Sequence, residues 1–220
     1  MTTSLSHMRQ TIKIHEIFTS LQGEGPFAGL LTTFVRLTGC PLRCQYCDTA
    51  YAFKGGENQS IDQIVNQIKS AKAKYVCITG GEPLAQKLVH NLIKLLCDDE
   101  YQVSIETSGS ISITQVDPRA VCIIDLKTPG SLEEKKNHLE NLNILRPHDH
   151  IKFVICDKND FTWSTKMASE ICTKHNQIWF SPEHTSLSAT MLADWMVEAK
   201  LPYRLQIQLH KYLWGDIAGK

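Results

Sequence analysis

The sequence predicts an α/β fold in which a mostly parallel, curved sheet closes part of the way into an incomplete barrel of the TIM type. Two observations carry this. Short apolar, β-branched runs alternate with stretches of helical periodicity, and several of the strand runs end on Gly, Thr, Asp or Glu, where a ligand site would sit. Length sets the limit, because 220 residues are too few for eight full strand and helix units.

Taken in order, Thr33–Leu37 reads as a strand that runs into a cysteine-rich loop. Ser60 is placed as an N-cap, with Gln63 completing a capping box, ahead of Ile61, Ile64, Val65 and Ile68 at helical spacing. Tyr75–Thr79 is the next strand and ends at Gly80-Gly81, completing one βαβ unit. A helix carrying Leu84, Leu88, Leu92, Leu95 and Leu96 follows, then strands at Val103–Thr107 and Val121–Leu126. Further strands fit Ile151–Ile155, Ile178–Phe180 and Arg204–Gln208. Helices carrying Met167 and Ile171, then Leu192, Trp195, Met196 and Ala199, lie between them. No internal repeat, low-complexity tract or linker breaks the chain, so residues 1–220 are expected to form a single domain.

Composition narrows the function. With 42% hydrophobic residues the chain can bury one substantial core. Lys+Arg and Asp+Glu balance at 23 each, so no basic field points to nucleic acid or an anionic membrane, and a small-molecule ligand is favoured. No apolar run approaches the length of about 18 residues expected of a membrane span, and Met1 to Arg9 lack the apolar core of a signal peptide. A cytoplasmic protein is expected. Eight cysteines are out of place as disulfides there. Cys77, Cys97, Cys122, Cys156 and Cys172 fall singly in apolar runs and read as core thiols. His148 and His150 precede a strand in a polar loop and are given no metal role.

The remaining three cysteines differ. Cys40, Cys44 and Cys47 form a C-x3-C-x2-C run that can wrap one metal centre, and no fourth cysteine is near. A structural zinc site closes with four protein ligands, whereas three thiolates on a [4Fe-4S] cube leave one iron open. A zinc knuckle that borrows a distant histidine, or three core cysteines, are the alternatives that spacing alone leaves. The run resembles the signature of the radical S-adenosylmethionine enzymes. That resemblance implies a [4Fe-4S] cluster on Cys40, Cys44 and Cys47, with S-adenosylmethionine chelating the open iron and cleaved by an electron to a 5'-deoxyadenosyl radical. Thr79-Gly80-Gly81-Glu82-Pro83 then resembles the glycine-rich motif that holds the methionine amine, with Glu82 able to accept from an ammonium. Tyr46 stands where the superfamily places an aromatic near the adenine, with Cys47 and Asp48 beside it. The polar residues of Glu106-Thr107-Ser108-Gly109 and Asp125-Leu126-Lys127 end the next two strands. They read either as nucleoside contacts or as ordinary strand-end caps.

Ile17-Phe18-Thr19-Ser20-Leu21-Gln22-Gly23-Glu24-Gly25, Cys47-Asp48-Thr49 and Gln208-Leu209-His210-Lys211-Tyr212-Leu213-Trp214 resemble the 7-carboxy-7-deazaguanine synthase family over about nine-tenths of the chain. The resemblance implies ring contraction of 6-carboxy-5,6,7,8-tetrahydropterin with loss of ammonia, in queuosine and 7-deazapurine biosynthesis. It also implies a homodimer reduced by a protein such as flavodoxin or ferredoxin. Backbone groups of Leu21 and Gly23, the Gln22 amide and the Glu24 carboxylate are suited to read the flat edge of a pterin; without the family, Gln22 and Glu24 read as a solvated turn. Arg36, inside an apolar strand, needs a buried anion and offers a fork to the substrate carboxylate. By matching position, Thr49 would give its hydroxyl to a Mg2+ shared with substrate, and Thr79 and His210 would contact substrate. Gly81 and Lys127 would contact S-adenosylmethionine, as would Asp125, Leu126 and Ser181. The chain departs from the family at two of these places, having Asp125-Leu126-Lys127 for Ser-Pro-Lys and Ser181-Pro182 for Gln-Pro, and it continues through Gly215 to Lys220 past the usual end. Two other classes compete. A glycyl-radical-enzyme activating protein would share the cysteines without needing the terminal segments, and a non-catalytic Fe-S or zinc protein would cleave no S-adenosylmethionine.

Overall fold

The computed structural model describes residues 11–171, 177–215, 217 and 219. Cys172 and Met1 to Arg9 therefore lie outside the described residues, and Gly215 to Lys220 are described only in part. Nine strands among the described residues build one sheet: β1 (Thr11–Leu21), β2 (Leu31–Leu37), β3 (Glu57–Ser60), β4 (Tyr75–Gly80), β5 (Gln102–Thr107), β6 (Val121–Asp125), β7 (His150–Ile155), β8 (Gln177–Pro182) and β9 (Arg204–Leu205). Their spatial order is β3-β1-β2-β4-β5-β6-β7-β8-β9, a mostly parallel sheet that does not close, as the sequence predicts.

The parallel part of the sheet is β2 and β4 to β9, in register pairs such as Arg36↔Thr79, Asp125↔Lys152 and Val154↔Ser181, so the carboxyl ends of these strands converge on one mouth. Helices α1 (Ile61–Ala71), α2 (Val89–Asp98), α3 (Lys158–Ile171) and α4 (Ala189–Glu198) connect strands and pack their apolar faces on the sheet. The core so formed includes Val35, Leu37, Ile64, Ile68, Ile78, Leu92, Ile105, Ile124, Ile151, Phe153 and Phe180, all essentially inaccessible to water. In β2 the period of two sorts the side chains: Val35 and Leu37 enter this core, while Phe34 and Arg36 face the mouth.

The capping box of α1 is formed as read. Gln63 donates its backbone N–H to Ser60 Oγ at 3.2 Å, and its side-chain oxygen accepts from Ser60 N–H at 2.8 Å. Other boundaries move. The leucine-rich helix begins only at Val89, because Pro83 opens a separate 3-10 turn, Pro83–Ala85, so Leu84 packs from that turn and Leu88 precedes the helix. Leu95 is exposed. The last strand stops at Leu205, after which Gln206 bends into the interior.

Three elements were absent from the sequence reading. β1 pairs antiparallel to β2 and β3, and a register shift between Ile14 and Glu16 breaks the alternation that marks a strand. β3 is a polar edge, Glu57 to Ser60, without apolar periodicity. Helix α5 (Leu209–Trp214) is too short to show a helical repeat.

Candidate active site

The cysteine loop leaves β2 at Leu37 and is held by its own backbone. Gly39 takes a positive φ of 98°, Cys47 N–H donates to Cys44 O at 3.2 Å, and Leu42 is buried beneath the loop. Arg43 donates Nη1–H to Cys40 O (2.8 Å) and Leu42 O (2.6 Å), bracing the turn from outside. The Gly80-Gly81 turn lies against it. Gly81 N–H donates to Leu37 O, Glu82 N–H donates to Gly39 O, and a Cβ on Gly81 would stand 2.2 Å from Gly39 O. Only glycine permits that approach.

Cys40, Cys44 and Cys47 are free thiols, each half-buried, and all three line one cavity of ≈ 250 Å³ at the mouth of the partial barrel. Burial lifts all three thiols, Cys44 to about 11, and Lys127 opposes the shift; neighbouring thiols add to it at Cys40 and Cys44, and Asp48 adds to it at Cys47. No three His, Cys, Asp or Glu side chains among the described residues are arranged to hold a metal ion. The donor set itself fits an iron-sulfur cluster: three thiols from one loop on one cavity wall, with a buried acceptor, Asp125 Oδ1, that has no hydrogen-bond partner among the described residues.

Around the same cavity stand Tyr46, Asp48, Thr49, Thr79, Gly81, Ser108, Asp125, Lys127 and Ser181, together with Leu21, Gln22, Glu24, Arg36 and His210. Lys127 bonds Asp125 Oδ2 at 2.9 Å and lies 5.9 Å from the centre of the Tyr46 ring. Burial works against its charge, but Asp125, Tyr46 and Cys44 together outweigh burial and the Lys127 pKa is raised.

Glu24 is no solvated turn. It is 8% exposed. Its Oε2 accepts from Lys152 Nζ (2.7 Å) and Gln206 Nε2 (3.0 Å), and its Oε1 accepts from Gln208 Nε2 (2.7 Å). A carboxylate offers about four lone-pair sites, so these three donors leave one unoccupied on a residue that lines the cavity. Arg36 finds part of its anion within the protein: Nε–H donates to Glu16 Oε1 at 2.7 Å, and Tyr51 OH donates to the same oxygen at 2.9 Å. Thr49 Oγ1–H donates to Asp48 Oδ1 at 2.7 Å, leaving the hydroxyl lone pairs for a cation. The Asp48 carboxyl is lowered although burial alone would raise it, because Thr49, Lys211 and Gln208 stabilise its charge.

Three of the sequence-derived site residues are placed elsewhere. Glu82 does not line the cavity: it is wholly buried, and its oxygens accept from Leu84 N–H, Thr107 Oγ1–H, Ser108 N–H and Ser108 Oγ–H, tying the ends of β4 and β5 together. Its lone pairs are thus engaged inside the protein, which makes it a tie between the two strand ends. Leu126 is buried in the core. Gly23 does not line the cavity but makes room beside it: its carbonyl accepts from Leu209 N–H at 3.1 Å, and a Cβ there would stand 2.0 Å from His210 Nδ1. Helix α5 thereby lays His210 over the Gln22-Gly23-Glu24 segment. The sequence reading missed Lys152, Gln206 and Gln208 as site residues, and left Glu106 between a nucleoside contact and a strand-end cap; both Glu106 and Lys152 line the cavity. Lys152 carries the signal that drew attention to Arg36, a cation inside the apolar run Ile151–Ile155.

An open parallel barrel with three cysteines at its mouth defines a class, the radical S-adenosylmethionine enzymes, and a model of the Radical SAM superfamily matches residues 34–119. The chain is similar to proteins named 7-carboxy-7-deazaguanine synthase from Chlorobaculum tepidum (39% identical, 94% of this chain and 96% of the relative) and from Koribacter versatilis (40%, 92% and 97%). A third, from Thermoplasma acidophilum, is 36% identical over 94% of this chain and 99% of its own. The chain belongs to the 7-carboxy-7-deazaguanine synthase family. Its fold matches the crystal structure of QueE from Escherichia coli (TM-score 0.70, 23% identity, 93% of this chain and 96% of that one) and that of archaeal TYW1 (0.58, 14%, 79% and 73%).

Proposed function

We propose that this cavity converts 6-carboxy-5,6,7,8-tetrahydropterin into 7-carboxy-7-deazaguanine with loss of ammonia, as a radical enzyme of 7-deazapurine biosynthesis. One observation carries the reading: Glu24, buried and oriented by Lys152, Gln206 and Gln208, shares a cavity with the three cysteine thiols. Neither competing class needs that arrangement. An activating enzyme opens its cavity to a protein partner, and a non-catalytic cluster needs no oriented carboxylate facing it.

Cys40, Cys44 and Cys47 would hold the [4Fe-4S] cluster, and Tyr46, Gly81, Ser108, Asp125, Lys127 and Ser181 the S-adenosylmethionine. When bound, these groups supply one-electron chemistry able to remove a hydrogen atom from a carbon that no side-chain base could deprotonate. The protein's part is binding and orientation. Glu24 accepts from the donor edge of the pterin, Gln22 is held beside it with Oε1 3.3 Å from Glu24 N, and His210 closes the segment from above. Arg36 turns its cavity-facing guanidinium toward the 6-carboxylate, since among the described residues its Nη groups have no hydrogen-bond partner. Thr49 and Asp48 offer oxygen to a Mg2+ that substrate oxygens complete.

The rest of the reading is coarser. A single domain fits the continuous core. Exposed Leu205, Ile207, Tyr212 and Leu213 around β9 and α5 support a homodimer, which sedimentation would test. A flavodoxin or ferredoxin is the reductant, and the cytoplasm its compartment; no helix among the described residues is long and apolar enough to cross a membrane. The test of the activity is anaerobic incubation of the reduced, reconstituted protein with S-adenosylmethionine, Mg2+ and the pterin deuterated at C6. Product of the expected mass, with label in 5'-deoxyadenosine or recovered S-adenosylmethionine, supports it; deuterium in solvent alone overturns it.

A further inference from the structure

Lys152 reaches carboxylates on both halves of the cavity. Its Nζ is 2.7 Å from Glu24 Oε2, on the segment after β1, and 4.0 Å from Asp125 Oδ2, its register partner on β6. The exposures of the three side chains are 10%, 10% and 18%, so little water screens them. Burial by itself would lower the pKa of Lys152, but the carboxylates of Glu24, Asp125 and Glu106 outweigh burial and hold it well above the ordinary value. Asp125 is the less settled of the two main partners. Its Oδ2 is shared between Lys127, at 2.9 Å, and Lys152, while its Oδ1 is buried without a hydrogen-bond partner among the described residues. Glu24, by contrast, is fixed by three donors.

We propose that Lys152 is a positioning residue that couples the two subsites: a donor on S-adenosylmethionine engaging Asp125 Oδ1 draws that carboxylate off the shared ammonium, and Lys152 then serves Glu24 alone. Glu24 gains a firmer orientation, and the pterin binds more tightly to the S-adenosylmethionine complex than to the protein without it. This rests on the proposed function, with Glu24 on the substrate side and Asp125 on the cofactor side. Linkage makes the effect reciprocal, so pterin must tighten S-adenosylmethionine by the same factor.

The test uses equilibrium binding to the cluster-loaded, oxidised protein, in which no turnover occurs, by anaerobic calorimetry with the tetrahydropterin and S-adenosylmethionine. In the wild type, saturating S-adenosylmethionine should lower the pterin Kd by about fivefold or more, with the reciprocal factor matching. Lys152→Met should bring both factors to about one, and Lys152→Arg should keep part of them. A wild type with no coupling, or a Met variant that keeps it in full, overturns the inference. If melting shows that Lys152→Met does not fold, Asp125→Asn replaces it: lost coupling supports the inference, and coupling kept in full overturns it. Wild-type protein that binds no pterin at all removes the substrate reading and this inference with it, whereas pterin binding without coupling removes the inference alone.

Discussion

Arg36 and Glu16 face each other across the β1 and β2 pair, in register, with Nε 2.7 Å from Oε1 and the guanidinium carbon within 6 Å of the Phe18 and Tyr51 ring centres (5.9 and 5.7 Å). One edge of the fork is thus spent on holding the side chain, and the other is presented to the cavity already oriented. An arginine ordered in this way loses little further freedom when an anion arrives.

Arg36→Ala should therefore weaken pterin binding by about 2 kcal/mol or more, roughly thirtyfold, and raise the 5'-deoxyadenosine formed per product. Arg36→Lys should recover only part, because a point charge cannot make the paired contact. Glu16→Gln keeps an acceptor for Nε–H and should cost less than about fivefold. Binding by the Ala variant within about threefold of wild type would take Arg36 out of the substrate site.

Gly23 and His210 give a prediction that depends on volume alone. A methyl group at position 23 would stand 2.0 Å from His210 Nδ1, so Gly23→Ala must displace the ring or the start of α5. The expected cost is about 1 to 3 kcal/mol, seen as a higher KM with an intact core and cluster. Combining it with His210→Ala empties the space, so the double variant should fall short of the sum of the single effects. Strict additivity of the two changes would show that they do not meet.

What could be read from the sequence follows the range of the interaction. The Ser60 and Gln63 capping box spans three residues and is present as read; the β2-to-β4 unit follows from local period and turn chemistry. The cysteine loop is a contiguous motif, so its lining of the cavity was legible too. The anchoring of Glu24 was not, because Gln206 and Gln208 lie 182 and 184 positions away and Lys152 lies 128 away. Glu82 shows the converse, since its place in a motif pointed to a ligand, whereas the Thr107 and Ser108 donors that occupy it come from a neighbouring strand end. Arg36 and Lys152 gave the same local signal, a cation in an apolar strand, but only the pairing of strands reveals which carboxylate each one meets.

Replacing Cys40, Cys44 or Cys47 by Ala should each remove the reconstituted cluster, about four irons and four sulfides per chain, and with it S-adenosylmethionine cleavage. Cys156 is the control. It is half-buried outside the loop, with its thiol pushed up to about 12 by burial and by the neighbouring Asp160. Cys156→Ser should leave iron content unchanged. Wild-type-like cleavage by Cys47→Ala, or full activity of zinc-loaded, iron-free protein, would sink the cluster assignment.

Thr49 and Asp48 make the Mg2+ dependence testable. The Thr49 hydroxyl already donates to Asp48 at 2.7 Å, which aims its lone pairs away from that carboxylate. Thr49→Ala should weaken the rise of turnover with Mg2+, while Thr49→Ser should keep most of it because the oxygen remains. Cluster assembly should be the same in all three proteins. An Ala variant with an unchanged Mg2+ profile would remove Thr49 from the site.

Glu106 ties the cavity to the pH dependence of stability. Burial raises its carboxyl from 4.5 to about 7; Lys152 and Arg36 oppose the shift, and Glu24 and Asp125 reinforce it. Between those values the folded chain keeps a proton that the unfolded chain has released, so stability falls as pH rises through this window, and the loss is complete above about pH 7. Glu106→Gln is neutral in both states and escapes the loss. Its stability should gain on the wild type between about pH 5 and about pH 8, by on the order of 2 kcal/mol, read as a relative rise in melting temperature, with the two proteins drawing together at the acid end. Melting curves of the substrate-free protein across this range decide the matter: parallel profiles, or a wild type that gains on the variant as pH rises, would mean that Glu106 is charged in the folded cavity throughout.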